Sequence, residues 1–355
     1  MRAKLCAALA LTLFLGGCTS ASVENVSDSA QIYQAATPFI VSDTRAKHVG
    51  LISDIDIRVA LEQGLMELSE EYFSPDRYTY RTHMFLDYDE LDATDGSRGL
   101  LGTLRDDNPN GLNPSADEEF DTGNGIATGP VLLVDLYEID YYEQDALKGI
   151  AIGLAVTDTA TVNGESVEIT PEKMQQYLQV TGTKITSYMR ERFNDITSSV
   201  PILIGAYQLN TDSSDTSKGG YIYLEYNNGS SSTYETISED YVTMPSSAFS
   251  SKDPEAAEQF STFKADCSSI ITDNTYVTGT AHYQNDALVS MTLDVTAYGK
   301  TAGEILAIIE GVQNYLSVFT VQECSIKVIV KNNNETVALM SREDADAPVN
   351  LITVY

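Results

Sequence analysis

The sequence predicts an α+β protein built as two tandem, related repeats, each a sheet with packed helices, behind a lipidated N-terminal tether. Three observations predict it. Strand, amphipathic helix and strand follow one another at 149–209, and the same order returns at 289–330. That recurrence suggests an internal duplication, set against chance reuse of a common unit, since residue identity between the halves is poor. Between the halves, 210–220 is dense in Ser, Asp, Thr and Gly and reads as a linker. A chain of 355 residues is long enough for about two domains with separate cores. The boundaries are then a leader over 1–17, a flexible tether over 18–36, a first repeat over 37–209, the linker over 210–220 and a second repeat over 221–355.

The leader comes first. Met1 to Lys4 is a short basic start, Leu5 to Leu15 is an uncharged and mostly apolar run, and Gly16, Gly17 and Cys18 close it. This is the layout of a signal peptide, and the run falls short of the roughly 20 apolar residues of a membrane-spanning helix. Cys18 behind two glycines, with Leu15 three positions ahead, looks like the lipobox of bacterial lipoproteins. That motif implies cleavage between Gly17 and Cys18 by a lipoprotein-processing peptidase, and a diacylglyceryl group on Cys18. An ordinary secretory signal that happens to precede a cysteine is the plainer alternative. The lipobox places the chain on the extracytoplasmic face of the cell membrane, held in the bilayer by acyl chains. Two chains exceed the marginal hold of one, at about 0.8 kcal/mol per buried methylene. Thr19 to Ala36 is polar and lacks apolar periodicity, as a tether should.

Ser53 to Tyr72 is the first helix. Ser53 or Asp54 can cap it, and Ile57, Leu61, Gly64, Leu65, Leu68 and Tyr72 share one face. Residues 86–125, rich in acids, Gly and Asn, read as a long loop. Val131 to Val134 and Gly149 to Val156 read as buried strands, and Asn163-Gly164 as a hairpin turn. Thr170-Pro171-Glu172 opens a helix with apolar residues Met174, Tyr177, Leu178, Ile185, Met189 and Phe193, and Val200 to Leu209 is the strand after it. In the second half, Tyr221–Tyr226 and Tyr234–Met244 look like strands paired around Asn228-Gly229. Asp253-Pro254-Glu255 starts a helix with the stripe Ala256, Phe260, Phe263, Cys267 and Ile270. Val289 to Val295 is a strand, and Thr301 with Glu304 forms a capping box for a helix that buries Ile305, Ile308, Ile309, Val312, Leu316 and Phe319. Ile326, Val328 and Val330 alternate as a half-buried strand, followed by another at Val337 to Met340.

The formal charge is −31. Loss of residues 1–17 removes Arg2 and Lys4 and no acid, leaving −33. Such a balance excludes nucleic acid as a partner, since phosphate binding needs a basic surface. It also excludes a polybasic hold on anionic lipid, and self-repulsion favours a monomer.

Several local strings resemble one family. They are Gly64-Leu-Met-Glu-Leu-Ser69 with Tyr72-Phe73 and Pro75, Gly111-Leu-Asn-Pro-Ser115, and Lys148-Gly-Ile-Ala-Ile-Gly-Leu-Ala155. Val200-Pro-Ile, Gly205-Ala-Tyr-Gln208, Pro245-Ser-Ser247, Tyr298-Gly299 and Ser341-Arg342 follow in the same order. With the lipobox, the set resembles the CamS family of sex-pheromone lipoproteins of Gram-positive bacteria. The resemblance implies two tandem α+β repeats. It also implies that the segment before the lipidated cysteine is released as a hydrophobic peptide that induces conjugative plasmid transfer. The matching residues here are Leu11, Thr12, Leu13, Phe14, Leu15, Gly16 and Gly17. Gly16-Gly17 departs from a more uniformly aliphatic or alanine ending, and a plain apolar run of a signal peptide is the competing reading. The alternative function is an extracytoplasmic lipoprotein that binds wall polymer, a cation or a small ligand and yields no pheromone.

The body offers few chemical motifs. His48, His83 and His282 share no helix-face spacing, no H-E-x-x-H occurs, and no nucleotide-binding fingerprint is present, so no enzyme activity is expected. Asp106, Asn108, Asn110 and Gly111, with Asp117 at position twelve, follow the pattern of a calcium loop apart from the final Asp. Pro109 and Pro114 interrupt it, and a polar turn is the favoured reading over calcium; no other cofactor is implied. Cys267 lies on its helix stripe and Cys324 shares parity with Ile326, so buried free thiols are favoured over a disulfide.

Overall fold

The computed structural model describes residues 33–102, 108–210, 218–270 and 274–354. The leader with residues 11–17, Cys18, most of the tether, Asp106 and most of the expected linker lie outside the described residues.

The first half runs β1 (Gln34–Ala35), α1 (Asp43–His48), α2 (Ile55–Ser69), β2 (Thr79–Thr82), α3 (Tyr88–Asp92), β3 (Glu119–Asp121), β4 (Ile126–Thr128), β5 (Leu133–Glu143), β6 (Ala146–Thr157), β7 (Thr159–Val162), β8 (Glu165–Glu168), α4 (Pro171–Arg192) and β9 (Ile202–Leu209). The chain continues through β10 (Gly220–Asn227), β11 (Ser232–Thr236), β12 (Glu239–Met244), α5 (Ser247–Lys252), α6 (Pro254–Ile270), β13 (Thr275–Gln284), β14 (Ala287–Ala297), α7 (Ala302–Tyr315), β15 (Ser325–Asn332), β16 (Glu335–Arg342) and β17 (Asn350–Thr353). The result is a mixed α/β fold.

Helix starts follow local chemistry. The Asp54 side chain accepts the Asp56 N–H at 2.8 Å to open α2, and Thr301 and Glu304 close a reciprocal box at α7. Thr170 makes no side-chain cap bond. There, Pro171 with its preset φ opens α4 instead.

The first sheet has the order β1-β2-β5-β6-β9-β10-β11. β5 and β6 form an antiparallel hairpin, α4 carries the chain over so that β9 lies parallel to β6, and β10 turns back antiparallel. Alternate residues face opposite sides. On β6 and β9, Ile150, Ile152, Leu154, Ile202 and Ile204 pack with Met174, Leu178, Ile185 and Met189 of α4. Their neighbours Ala151, Ala155, Leu203 and Tyr207 pack with Leu61 and Leu65 of α2. This sheet is therefore covered on both faces. Gly64 permits a close approach: a Cβ there would sit 2.8 Å from the ring of Tyr221, whose hydroxyl donates to the Leu61 carbonyl at 2.6 Å.

The second sheet, β12-β13-β14-β15-β16-β17, repeats the antiparallel hairpin, parallel crossover through α7 and antiparallel return. Its helices lie on one face, where Phe260, Phe263 and Cys267 of α6 and Ile305, Ile308 and Val312 of α7 meet Val277, Leu293, Val295 and Val328. The other face carries Thr278, Thr280, His282, Thr292 and Lys327, none of them buried.

The structure corrects four expectations. Val131–Val134 is the start of a much longer strand: β5 continues to Glu143 although Asp135, Glu138 and Asp140 are buried in it. Residues 86–125 are not simply loop, since they hold α3 and β3. Glu90 of α3 pins that segment by accepting from Arg192 Nη2 at 2.8 Å. The expected boundary at 210–220 falls within the first sheet, because β10 and β11 pair there. Backbone bonds also tie residues 218–222 to 237–241, as in Lys218 N–H to Tyr241 C=O at 2.8 Å. The run Tyr234–Met244 is split in turn: β11 pairs with β10, and β12 pairs with β13 in the other sheet.

Cys267 and Cys324 are buried free thiols, as favoured. Among the described residues no helix is long and apolar enough to cross a membrane.

Candidate functional site

Cys18, the Gly17–Cys18 cleavage point and the peptide Leu11–Gly17 lie outside the described residues, as does Asp106. The remaining calcium-loop residues are engaged locally. The Asn108 side-chain oxygen accepts from Asn110 N at 3.1 Å, and its amide donates to the Gly99 carbonyl at 2.9 Å. Asn110 Nδ2 donates to the Ser97 carbonyl at 3.1 Å, and Asp117 is exposed. The small hollow beside this loop, about 80 Å³, is also lined by Lys184, a cation in its own right. Among the described residues no three His, Cys, Asp or Glu side chains converge as a metal site. Asn113 of the same string serves the fold: its Oδ1 accepts from Leu132 N and Leu133 N at 2.8 Å each, fixing the start of β5.

Two other places gather charge. The first lies where α1 crosses β5. Arg45 Nη1 donates to Asp135 Oδ2 at 2.9 Å and Nη2 to Oδ1 at 2.8 Å, a two-pronged pair. His48 reaches Asp135 Oδ1 through Nδ1 at 3.1 Å and Asp92 Oδ2 through Nε2 at 2.5 Å. Both cations reach Oδ1 of Asp135, which offsets their mutual repulsion. Burial disfavours the charged imidazole, but hydrogen bonds and charge from Asp135 and Asp92 outweigh it and raise the His48 pKa to about 9. Burial likewise acts to raise Asp135, yet its bonds to His48 and Arg45 bring it below the ordinary value. The guanidinium also lies 4.0 Å from the Tyr137 ring centroid. With both ring nitrogens engaged, a protonated His48 has no lone pair to act as a base.

Beside it, Glu138 accepts from Phe85 N at 3.0 Å and Leu86 N at 2.6 Å, while Asp140 accepts from Met84 N at 3.1 Å. Burial raises both carboxyls; Glu138 raises Asp140 further, while the hydrogen bond with Asp140 favours the ionised form of Glu138. His83 accepts from Glu138 N at 3.3 Å and burial lowers its pKa to about 4, so it stays neutral. The hollow that His83 and Glu138 share with Arg45, Glu62 and Tyr137 measures only about 60 Å³. This region is a polar clamp that fixes α1 and the turn at 83–86 to β5.

The second place has room. Between α2 and the open face of the second sheet runs a cleft of about 330 Å³, lined by Glu67, His282, Ser290, Thr292, Lys327 and Ser341 among others. That is the lower end of small-ligand sites. His282 stacks on Tyr241 at 4.2 Å between centroids, tilted by 5°. Its Nε2 lies 3.8 Å from Glu239 Oε1, and burial lowers its pKa to about 4. Burial first, and then the charge of Glu67, raise Glu239 to about 7. The cleft presents hydroxyls, the His282 ring and charged side chains of both signs, groups able to hydrogen-bond a polar ligand. Sequence reasoning missed it because its residues come from α2, β13, β14, β15 and β16, and no local string contains them.

The fold is shared with solved proteins. The chain is similar to the crystal structure of a sex pheromone precursor from Lactobacillus salivarius subsp. salivarius UCC118, with TM-score 0.75 and 18% identity over 89% of this chain and 93% of that one. It is also similar to the C-terminal domain of the sex pheromone staph-cAM373 precursor from Staphylococcus aureus, with TM-score 0.70 and 20% identity over 86% of this chain and 98% of that one. These likenesses define the class: a mixed α/β protein with the architecture of the pheromone precursors. The family model described as CamS sex pheromone cAM373 precursor matches residues 39–347, and the chain belongs to that family. No curated protein matches it.

Proposed function

We propose that the chain is the precursor of a lipid-anchored surface protein whose leader donates a hydrophobic heptapeptide, Leu11–Gly17, that promotes conjugative plasmid transfer. The observation that carries this is the lipobox at Leu15–Cys18 in a chain that belongs to the CamS family from residue 39 to 347. Processing cuts between Gly17 and Cys18, and a diacylglyceryl group on Cys18 holds the mature chain on the extracytoplasmic face as a monomer. The body is a tandem pair of related repeats without enzyme activity, a reading supported by the shared hairpin, parallel crossover and return in both sheets. Synthetic Leu11–Gly17, applied to a panel of responsive donor cells, is expected to induce aggregation or raise plasmid transfer. Silence across the panel rejects the pheromone role. Cys18→Ala is expected to release the protein from membrane fractions, and its retention there after leader cleavage rejects lipid attachment.

A second reading, favoured by the cleft at Glu67, His282 and Lys327, is an extracytoplasmic binding lipoprotein for a polar ligand such as wall fragments. Thermal melts of the mature chain with soluble wall fragments, and separately with calcium, test it. A midpoint unmoved by either rejects it.

A further inference from the structure

We infer that the mature chain carries a second membrane contact: an apolar face at the junction of α1 and α2 that lies on the lipid surface beside the anchor. The inference rests on the proposed anchoring through Cys18. Among the described residues, seven of the nineteen large apolar side chains left exposed fall within 39–59: Phe39, Ile40, Val41, Val49, Leu51, Ile55 and Val59. The last four form its centre. Ile55 and Val59 are one turn apart on the outer side of α2, opposite buried Leu61 and Leu65, and are 63% and 45% exposed. Val49 and Leu51, 51% and 46% exposed, belong to the turn just before, and Arg58 of α2 holds that turn by donating to the Val49 carbonyl. Phe39, Ile40 and Val41 lead directly into Ser42, the cap of α1. Clustered exposed apolar residues mark an interaction surface.

Charge and chain position select a bilayer as the occupant. The whole chain carries −31 and is repelled by an anionic lipid surface. Residues 39–59 hold Asp43, Asp54 and Asp56 against Arg45, Lys47, Arg58 and His48, the last with its pKa raised to about 9, so the stretch carries no net negative charge at pH 7. This stretch can therefore approach lipid without that repulsion, and an apolar face of this kind enters about 5–10 Å below the headgroups. It is also close to the anchor in sequence: fourteen residues lie between Cys18 and Tyr33, a reach of at most about 54 Å. One lipidated cysteine leaves a body free to tumble, and a second contact fixes its orientation.

The chain has no tryptophan, so single reporters are clean. Mature protein from residue 18 is coupled through the Cys18 thiol to maleimide-bearing lipid in vesicles of equal parts phosphatidylcholine and phosphatidylglycerol. This separates the face from the native anchoring chemistry, which Cys18→Ala tests in cells. Ile55→Trp is expected to lose at least half its emission to brominated lipid, and Leu306→Trp, on the solvent-exposed side of α7, to be unaffected. Adding Val49→Glu and Val59→Glu to Ile55→Trp is expected to abolish the quenching. Equal quenching at both reporters, quenching at neither, or quenching that survives the added glutamates overturns the proposal. So does a lipid-free dimer that buries Ile55 and leaves the vesicle-bound reporter unquenched.

Discussion

The guanidinium of Arg45 and the carboxylate of Asp135 form a two-pronged ion pair across ninety residues of sequence, with Asp135 wholly buried. Removing one partner of a buried pair strands the other. Asp135→Asn is expected to lower the unfolding free energy by about 3 kcal/mol, near the lower end for such pairs because Arg45 keeps some solvent contact. Urea melts measure the loss. Amide exchange at Thr44–His48 should rise more than in α4, and uniform exchange across both would show that the clamp is not local.

Stability should fall on the alkaline side. His48 binds its proton more tightly folded, near 9, than at its ordinary 6.5. Its contribution is whole below 6.5 and is lost as pH rises through about 9. Glu239, raised from 4.5 to about 7, acts in the same direction over a lower window, whole below 4.5 and spent above 7. His83 and His282, lowered to about 4, oppose both: their share is whole above 6.5 and fades as pH falls toward 4. Thermal midpoints are expected to drop between pH 6.5 and 9, and His48→Gln should flatten the upper part of that slope. A wild-type profile that is level there would remove His48 from the account.

Gly149 faces the ring of Phe73, which stacks on Tyr141 at 4.7 Å. A Cβ at 149 would fall 2.0 Å from Phe73 Cε1. Gly149→Ala is therefore expected to destabilise by about 1–3 kcal/mol, as overpacking does. Equilibrium urea unfolding checks it, and a neutral result would mean that Phe73 can move aside.

Burial raises Cys267 to about 12 and Cys324 to about 11. Thiolate is the reactive form. In the Cys18→Ala mature chain, iodoacetamide at pH 8 should label neither thiol natively and both in urea. A mass two hydrogens lighter without reductant would instead reveal a disulfide.

What the sequence disclosed depended on whether a segment's chemistry is local. Asp54, the apolar stripe to Leu65, and the Thr301 and Glu304 box announce α2 and α7 unaided. β5 hid because Asp135, Glu138 and Asp140 look wrong for a buried strand, and their partners come from Arg45, His48 and the backbone at 84–86. The Asn228 turn was legible, but a strand's sheet is chosen by distant neighbours, so β11 and β12 read as one run. The cleft was invisible for the same reason. His48 and Lys327 carry no local mark of their surroundings, while the proposed lipobox at Leu15–Cys18 is one contiguous string.

The seam between β1 and β2 has a mechanical meaning. Only Gln34 with Thr79 and Ala35 with Tyr80 are in register. A tug arriving along the chain from its N-terminal side meets Tyr33, buried against Tyr141 with its hydroxyl donating to the Phe73 carbonyl, and then that short seam. Once they part, the strain moves to α1 and is borne by Arg45 on Asp135. The hold of α1 on the first sheet under such a pull thus includes an ion pair, and loss of the His48 proton beside it is expected to loosen that hold in alkali.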